Sequence, residues 1–199
     1  MRKLRRQGPL HRLLLIVAAV SLFMIGYYWG NQYKQSARPK LSAVMLRPPV
    51  VLPLEGLTDA RHRPFDAARL KGHISLIAVG DSNRQGGRTL LTRLVRIRNR
   101  LVDRPRLQKS ILIVFIDTTG GVSAPMADQL AAYGSGFLGV SGDPDALIHI
   151  RKTLGTDGDK GASSLFLADP EGRIVALFPA SQAVDAIAAD LKAYADAYR

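Results

Sequence analysis

The sequence contains no cysteine among its 199 residues. This absence excludes disulfide bonds, thiol–disulfide exchange, thiolate nucleophiles and metal sites built from thiolates. An extracytoplasmic domain of ordinary size folds without disulfides, because its hydrophobic core is large enough. The missing cysteines therefore restrict the chemistry of the protein without deciding the compartment in which it works.

Acidic residues are absent from the first 40 positions, which hold eight of the 28 Lys and Arg residues. The other 20 basic residues stand against all 16 Asp and Glu residues, so the rest of the chain carries only +4 of the net charge of +12. Most of the excess is thus N-terminal, where positive charge specifies membrane topology. This distribution argues against a nucleic-acid-binding protein.

Residues Leu13–Trp29 form an uncharged, apolar run of 17 residues. As a helix it would be about 25 Å long, slightly short of a hydrocarbon layer of about 30 Å. Its last three residues, Tyr-Tyr-Trp, suit a membrane interface, and the basic residues 1–12 belong in the cytoplasm by the positive-inside rule. We therefore predict a single-pass anchor in the inner (cytoplasmic) membrane, with residues 30–199 in the periplasm.

A cleaved signal peptide is the alternative for this segment, since it also begins with positive charge. Its apolar core usually spans about 7–15 residues and ends in small residues before the cleavage site. Here the run ends in GYYWGNQY without an A-x-A-like site, which favours a retained anchor. Residues 30–53, which include four prolines, are predicted to form an extended tether.

Residues 54–199 are predicted to form one α/β domain. Two short apolar runs rich in β-branched residues, His73–Val79 and Ser110–Asp117, are typical of buried parallel strands. Between them, the helix predicted over Thr89–Val102 places Leu90, Leu94, Ile97 and Leu101 on one face, which completes a right-handed βαβ unit. Further predicted elements are helices over 123–133, 143–155 and 181–198, a strand over 137–140, and a hairpin of 164–168 with 174–178. This order is that of a thioredoxin-like fold.

Several short segments occur in a recognisable order along this domain. They are LTD at 57–59, PF at 64–65, LKG at 70–72, VG at 79–80, VFID at 114–117, LAAY at 130–133, FLGVSGD at 137–143 and LFLADPEG at 165–172. In this order, and behind one N-terminal helix, they resemble the SCO/SenC family, the thioredoxin-fold copper chaperones of cytochrome c oxidase assembly. The resemblance implies a thioredoxin-like domain behind a transmembrane helix.

The resemblance also implies where a copper site would lie. Members of the family bind copper through a C-x-x-x-C pair at the start of the first helix and a His before the hairpin strand. These positions fall on Arg84, Arg88 and Gly161 in this sequence. Guanidinium groups repel cations and cannot be deprotonated to act as ligands. We therefore expect no family-type copper binding, no other metal or cofactor, and no redox activity.

Other histidine and methionine side chains fall at none of the family's ligand positions. They are His62, His73, His149, Met45 and Met126. Each is predicted to be an ordinary packed or surface residue.

The loop at the implied ligand positions has the composition of an anion-binding site. Residues Asp81–Thr89 are polar, contain Gly86 and Gly87, and run into a helix N-terminus, where free backbone N–H groups and the helix dipole attract anions. Arg84 and Arg88 add positive charge suited to phosphate or carboxylate. The loop is not a Walker A motif, and the alternative is a flexible loop with solvated arginines.

The segment from residue 84 to residue 109 holds nine basic residues and a single acid, Asp103. Arg93, Arg96 and Arg100 share a helix face opposite the apolar stripe. One interpretation is a plain solvated face. The other is a surface that binds an acidic partner protein or anionic lipid.

The sequence shows no nucleophile, acid–base pair or metal cluster, so we predict that the protein is not an enzyme. We interpret it as a membrane-anchored, cysteine-free SCO/SenC-like protein that acts as an accessory or binding factor in cytochrome c oxidase assembly. The alternative is a general binding module of the cell envelope, tethered to the membrane and unrelated to copper or respiration. Likeness of fold is only an associational argument for either function.

Overall fold

The computed structural model describes residues 16–27, 41–121, 124–156 and 164–198. The chain divides into two compact units, Met1–Pro39 and Lys40–Arg199. In the first, residues 16–27 form helix α1, whose side chains are exposed. Among the described residues, no helix has both the length and the apolar character needed to cross a membrane. The two ends of the predicted anchor, 13–15 and 28–29, lie outside the described residues.

The described residues of the second unit form a seven-stranded mixed sheet in the order β1-β7-β6-β3-β4-β5-β2. The strands are β1 Val44–Val51, β2 Leu57–Asp59, β3 Ser75–Gly80, β4 Leu112–Asp117, β5 Phe137–Gly142, β6 Leu165–Ala168 and β7 Arg173–Phe178. Strands β3, β4 and β5 run parallel, whereas β6, β7, β1 and β2 pair antiparallel with their neighbours. The parallel centre places the ends of β3 and β4 side by side.

Helices cover both faces of this sheet. They are α2 Ala67–Leu70, α3 Gln85–Asn99, α4 Pro105–Ser110, α5 Ala124–Ala132, α6 Pro144–Leu154 and α7 Val184–Ala197. Side chains alternate across a strand, so Leu76 and Ala78 of β3 pack with α3 and α7, whereas Ile77 and Val79 pack with α6 on the other face. The predicted βαβ unit, β3-α3-β4, is confirmed, and burial on both faces explains why its strands read as continuous apolar runs.

The N-terminal boundary of the domain differs from the prediction. The expectation that residues 30–53 form an extended tether is wrong for its second half, because Val44–Val51 form edge strand β1 and pair with β7. The register shifts between Met45 and Val50. Pro48 and Pro49 lie in this gap, and a proline is tolerated at a sheet edge because no ladder bond there requires its N–H.

The carboxylate of Asp190, in α7, fixes the point at which the chain enters the domain. It accepts hydrogen bonds from Ser42 N at 3.1 Å, Ser42 Oγ at 2.8 Å and Ala43 N at 3.0 Å. Gln182 Nε2 also donates to Ser42 Oγ at 2.7 Å. Residues 42–43 are therefore held against α7 before β1 begins.

Candidate functional site

The loop between β3 and α3 is fixed by a buried acid on the neighbouring strand. Asp117, the last residue of β4, is fully buried. Its carboxylate accepts bonds from Ser82 Oγ at 2.5 Å, Ser82 N at 3.4 Å and Thr119 N at 3.0 Å. Because β3 and β4 are parallel, their ends meet at one edge of the sheet, and these bonds hold the loop there.

The two glycines of the predicted anion site have different surroundings. A Cβ at Gly87 would lie 2.0 Å from the carbonyl oxygen of Asp81, so the first turn of α3 packs directly on the loop. Gly86 has no atom within 4 Å of such a Cβ. Gly87 is thus required for packing, whereas Gly86 faces open space at the start of the helix.

Arg84 and Arg88 lie one helical turn apart at the N-terminus of α3. Arg84 is the N-cap residue and makes no side-chain capping bond. Its Nε lies 3.0 Å from the carboxylate of Asp81, and the backbone N–H of Arg88 donates to the Arg84 carbonyl at 3.2 Å. The structure therefore brings together the two positions that the resemblance assigns to the thiolate pair. Gly161, the third position, lies outside the described residues.

Arg93 holds α3 to the segment that precedes α7. One of its guanidinium nitrogens, Nη2, donates to the carbonyl oxygens of Pro179 at 2.9 Å and Gln182 at 2.7 Å. Burial lowers the pKa of Arg93 below its ordinary value. Arg93 thus has a structural role in addition to its positive charge.

Three ion pairs join the C-terminal part of the basic segment to α7, and in two of them an acid of α7 neutralises an arginine. The ion pairs are Arg100 with Asp185 at 2.8 Å, Arg104 with Asp196 at 3.1 Å, and Asp103 with Lys192 at 2.7 Å. Although the segment is almost purely basic in sequence, α7 therefore supplies acidic partners for Arg100 and Arg104 once the chain is folded.

Arg98 faces away from α7. Its Nη1 donates to the carbonyl of Tyr133 at 3.1 Å, and its guanidinium carbon lies 5.6 Å from the centre of the Phe137 ring. A contact of this kind between a cation and an aromatic face is favourable. Arg98 therefore packs α3 against the start of β5.

A cleft of about 430 Å³ lies between α3 and the start of α7. We call it the cationic cleft, and its lining residues are Gln85, Arg88, Thr89, Thr92, Arg93, Arg96 and Val184. Three of the predicted binding residues, Arg88, Arg93 and Arg96, meet here, whereas Arg84 and Arg100 do not line it. The arrangement offers guanidinium donors to an anion.

The other candidate ligands are dispersed. His62, His73 and His149 are exposed, and Met126 is buried. His73 Nδ1 lies 3.1 Å from the carbonyl of Ser110. Throughout the described ranges, no three His, Asp or Glu side chains come together in a way that could hold a metal ion.

Sequence reasoning missed the residues that shape the site from a distance. Ser82 and Asp117 hold the loop, the carbonyl of Gln182 holds Arg93, and Val184 lines the cleft. A buried acid at the end of an apolar strand is a usable signal for Asp117. Gln182 and Val184 carry no such signal, because their role depends on contacts with residues of α3, such as that between Arg93 and Gln182 across about 90 residues of sequence.

No family model matches the chain, and no curated protein matches it. Among solved structures, yeast Sco1 with copper bound is 20% identical with a TM-score of 0.61, and the match covers 79% of this chain and 95% of that one.

Two further structures give the same result. An SCO1/SenC family lipoprotein from Bacillus anthracis is 17% identical with a TM-score of 0.55, covering 75% of this chain and 99% of that chain. BsSco, a member of the Sco family of cytochrome c oxidase assembly proteins, is 13% identical with a TM-score of 0.55, covering 75% and 97%. The predicted resemblance is thus confirmed at the level of the fold: residues after 40 have the thioredoxin-like α/β fold of the SCO/SenC proteins.

Proposed function

We propose that the protein is a membrane-anchored, non-enzymatic accessory factor in cytochrome c oxidase assembly. The observation that carries this proposal is a Sco-type fold in which Arg84 and Arg88 occupy the start of α3. These are the positions that the resemblance assigns to a copper-binding thiolate pair. A domain that keeps the fold but presents cations there is suited to binding a partner rather than to carrying copper.

The proposed anchor is the segment Leu13–Trp29, with the globular domain in the periplasm. Within it, α1 is apolar around its whole circumference, and its side chains, such as Phe23 and Ile25, are exposed. A helix that is apolar on all sides belongs in a hydrophobic environment. The five basic residues before the run favour a cytoplasmic N-terminus.

Deletion of the gene in its native host tests the proposed role. We expect less assembled oxidase, measured as haem a absorbance and as oxygen consumption with reduced cytochrome c. The full chain should restore both. Added copper should not, because the proposed role involves no copper transfer. Normal oxidase levels in the deletion strain would refute the proposal and leave the general envelope module as the interpretation.

Topology is tested separately. An alkaline phosphatase fused after Tyr198 should be active, because the enzyme requires export, and the chain should remain with membranes after an alkaline wash. Activity of a cytoplasmic reporter at the same position would reverse the topology. A mature chain that starts near Asn31 would show that the segment is a cleaved signal.

A further inference from the structure

We propose that the cationic cleft docks onto anionic phospholipid headgroups of the membrane in which the protein is anchored. This inference rests on the anchor proposed above. It assigns to one side of the domain a binding surface with a defined chemistry, namely phosphate groups presented by a lipid bilayer.

The ion pairs that Arg100 and Arg104 make with α7 lie outside the cationic cleft. Arg88 and Arg96 lie eight residues apart on one stripe of α3, and both are exposed. In the part of the chain that the structure describes, neither forms an ion pair, whereas Arg100 and Arg104 are neutralised by acids of α7. Within the described residues, Arg88 and Arg96 therefore bring positive charge without an acidic partner to the cleft.

The side chains that line the cleft determine which hydrogen-bond donors a ligand meets. The hydroxyls of Thr89 and Thr92 donate to backbone carbonyls of the preceding turn, at 2.9 Å and 3.0 Å. Their hydrogens are therefore committed to the helix, and the side-chain donors left for a ligand are the guanidinium groups and the Gln85 amide. Planar guanidinium groups match the geometry of phosphate oxygens.

Two hydrogen bonds of Gln182 link the cationic cleft to the segment through which the chain enters the domain. The side chain of Gln182 donates to Ser42 Oγ at 2.7 Å, and its backbone carbonyl accepts from Arg93 Nη2 at 2.7 Å. A single residue thus contacts both the segment that enters the domain and one wall of the cleft. The chain that leads from the proposed anchor therefore joins the domain beside the cationic cleft.

A weak attraction is sufficient in this arrangement. Tethering converts docking into an intramolecular step, so that the local concentration of headgroups is high. A few arginines that attract anionic lipid would orient the domain without being able to recruit it from solution. An acidic protein would need a larger complementary surface than this cleft provides.

The experiment uses the full chain reconstituted into vesicles. Because the sequence has no cysteine, a single Gln85→Cys substitution places an environment-sensitive dye at the rim of the cleft. We expect the emission to shift to the blue in vesicles that contain phosphatidylglycerol, relative to vesicles of phosphatidylcholine alone. The shift should decline as ionic strength rises past about 0.15 M, where the Debye length is about 8 Å.

Two double variants separate the cleft from general positive charge. Arg88→Gln with Arg96→Gln should abolish most of the shift. Arg106→Gln with Lys109→Gln removes the same charge from exposed residues in α4 and should preserve it. Equal loss in both variants, or the same emission in neutral and anionic vesicles, would overturn the proposal.

Measurements with two other anions identify the kind of ligand that the cleft binds. Inorganic phosphate, at constant ionic strength, should not reproduce the shift with the protein in neutral detergent micelles; if it does, the cleft binds a small anion rather than a membrane. A shift with polyglutamate but not with phosphatidylglycerol would also overturn the proposal, in favour of an acidic protein. If the anchor itself is wrong, the chain will leave the vesicles in an alkaline wash, whereas a failure of docking alone leaves it membrane-bound with an unshifted dye.

Discussion

The carboxylate of Asp117 accepts a 2.5 Å hydrogen bond from the hydroxyl of Ser82, and both residues are buried. The bond joins the end of β4 to the loop that leads into α3. It therefore determines the position of the helix N-terminus and of the arginines that follow it.

Replacement of Ser82 by alanine should destabilise the domain. The Asp117 carboxylate would lose its shortest bond while remaining buried, which costs about 1–3 kcal/mol of unfolding free energy. Urea denaturation followed by circular dichroism measures this loss. Thr89→Ala is the matched control, because its hydroxyl is exposed and its loss should cost no more than about 0.5 kcal/mol. Equal effects of the two substitutions would contradict the role assigned to Asp117.

The neighbouring glycines should respond to alanine in opposite directions. In Gly87→Ala the new methyl group overlaps the backbone of Asp81, which no side-chain rotation relieves, so stability should fall by about 1–3 kcal/mol. In Gly86→Ala the methyl group meets open space, and stability should rise by about 0.4–1 kcal/mol because the unfolded chain loses freedom. Thermal melting distinguishes them. Equal melting temperatures of the two variants would show that the loop before α3 can move aside without a loss of stability.

Asp59 should make stability depend on pH in the acid range. Burial raises its pKa, but hydrogen bonds from Arg63 and Arg61 outweigh this effect, so the pKa lies below its ordinary value. A lowered pKa in the folded state stabilises the domain above the ordinary value of about 4, and this contribution disappears as the pH falls through the folded-state value. Urea denaturation at a series of pH values below about 5 measures the decline.

Asp59→Asn should flatten that decline, since the side chain then no longer titrates. Asp128→Asn, on the exposed side of α5, changes the net charge equally and should leave the slope nearly as it is in the wild type. An Asp59→Asn protein with an undiminished slope would assign the acid sensitivity to other carboxylates.

Cysteines at the two positions that the resemblance assigns to a thiolate pair should create a copper site. Arg84→Cys with Arg88→Cys places two sulfurs one turn apart at a helix N-terminus, where the dipole favours thiolates and soft sulfur suits Cu(I). We expect this variant to hold one Cu(I) against a competing chelator and the wild type to hold none. Arg88→Cys with Arg100→Cys is the control, because its sulfurs are about 18 Å apart along the helix. Tight binding by the wild type would refute the assignment of these positions.

The central elements could be predicted because their signals are local. The apolar runs of β3 and β4 and the periodic leucines of α3 are visible in sequence, and they fix the βαβ unit. The start of α3 was predicted at Thr89 but lies at Gln85. Arg84 gives no capping signal, and glycine at 86 and 87 disfavours a helix in isolation. Packing of Gly87 on Asp81 overrides that preference.

Other features could not be predicted because they depend on distant partners. Strand β1 contains two adjacent prolines, which weaken the pattern of a strand, and only its pairing with β7 defines it. The contacts at the candidate site also depend on residues that are distant in the sequence. Arg93 and Arg100 share a face with Arg96, as the sequence predicts, but their partners are Gln182, which lies just before α7, and Asp185 in α7. The contacts of Arg93 and Arg100 are therefore set only when the chain folds.

The prolines of β1 also affect how the protein behaves at high concentration. An edge strand is a template on which strands from other molecules can add, and that is how sheets grow into aggregates. Pro48 and Pro49 cannot donate backbone hydrogen bonds, and Arg47 beside them is exposed and charged. A foreign strand would meet missing donors and a charge in the middle of β1. The two prolines that weaken the strand pattern in the sequence thus also oppose self-association at the β1 edge of the sheet.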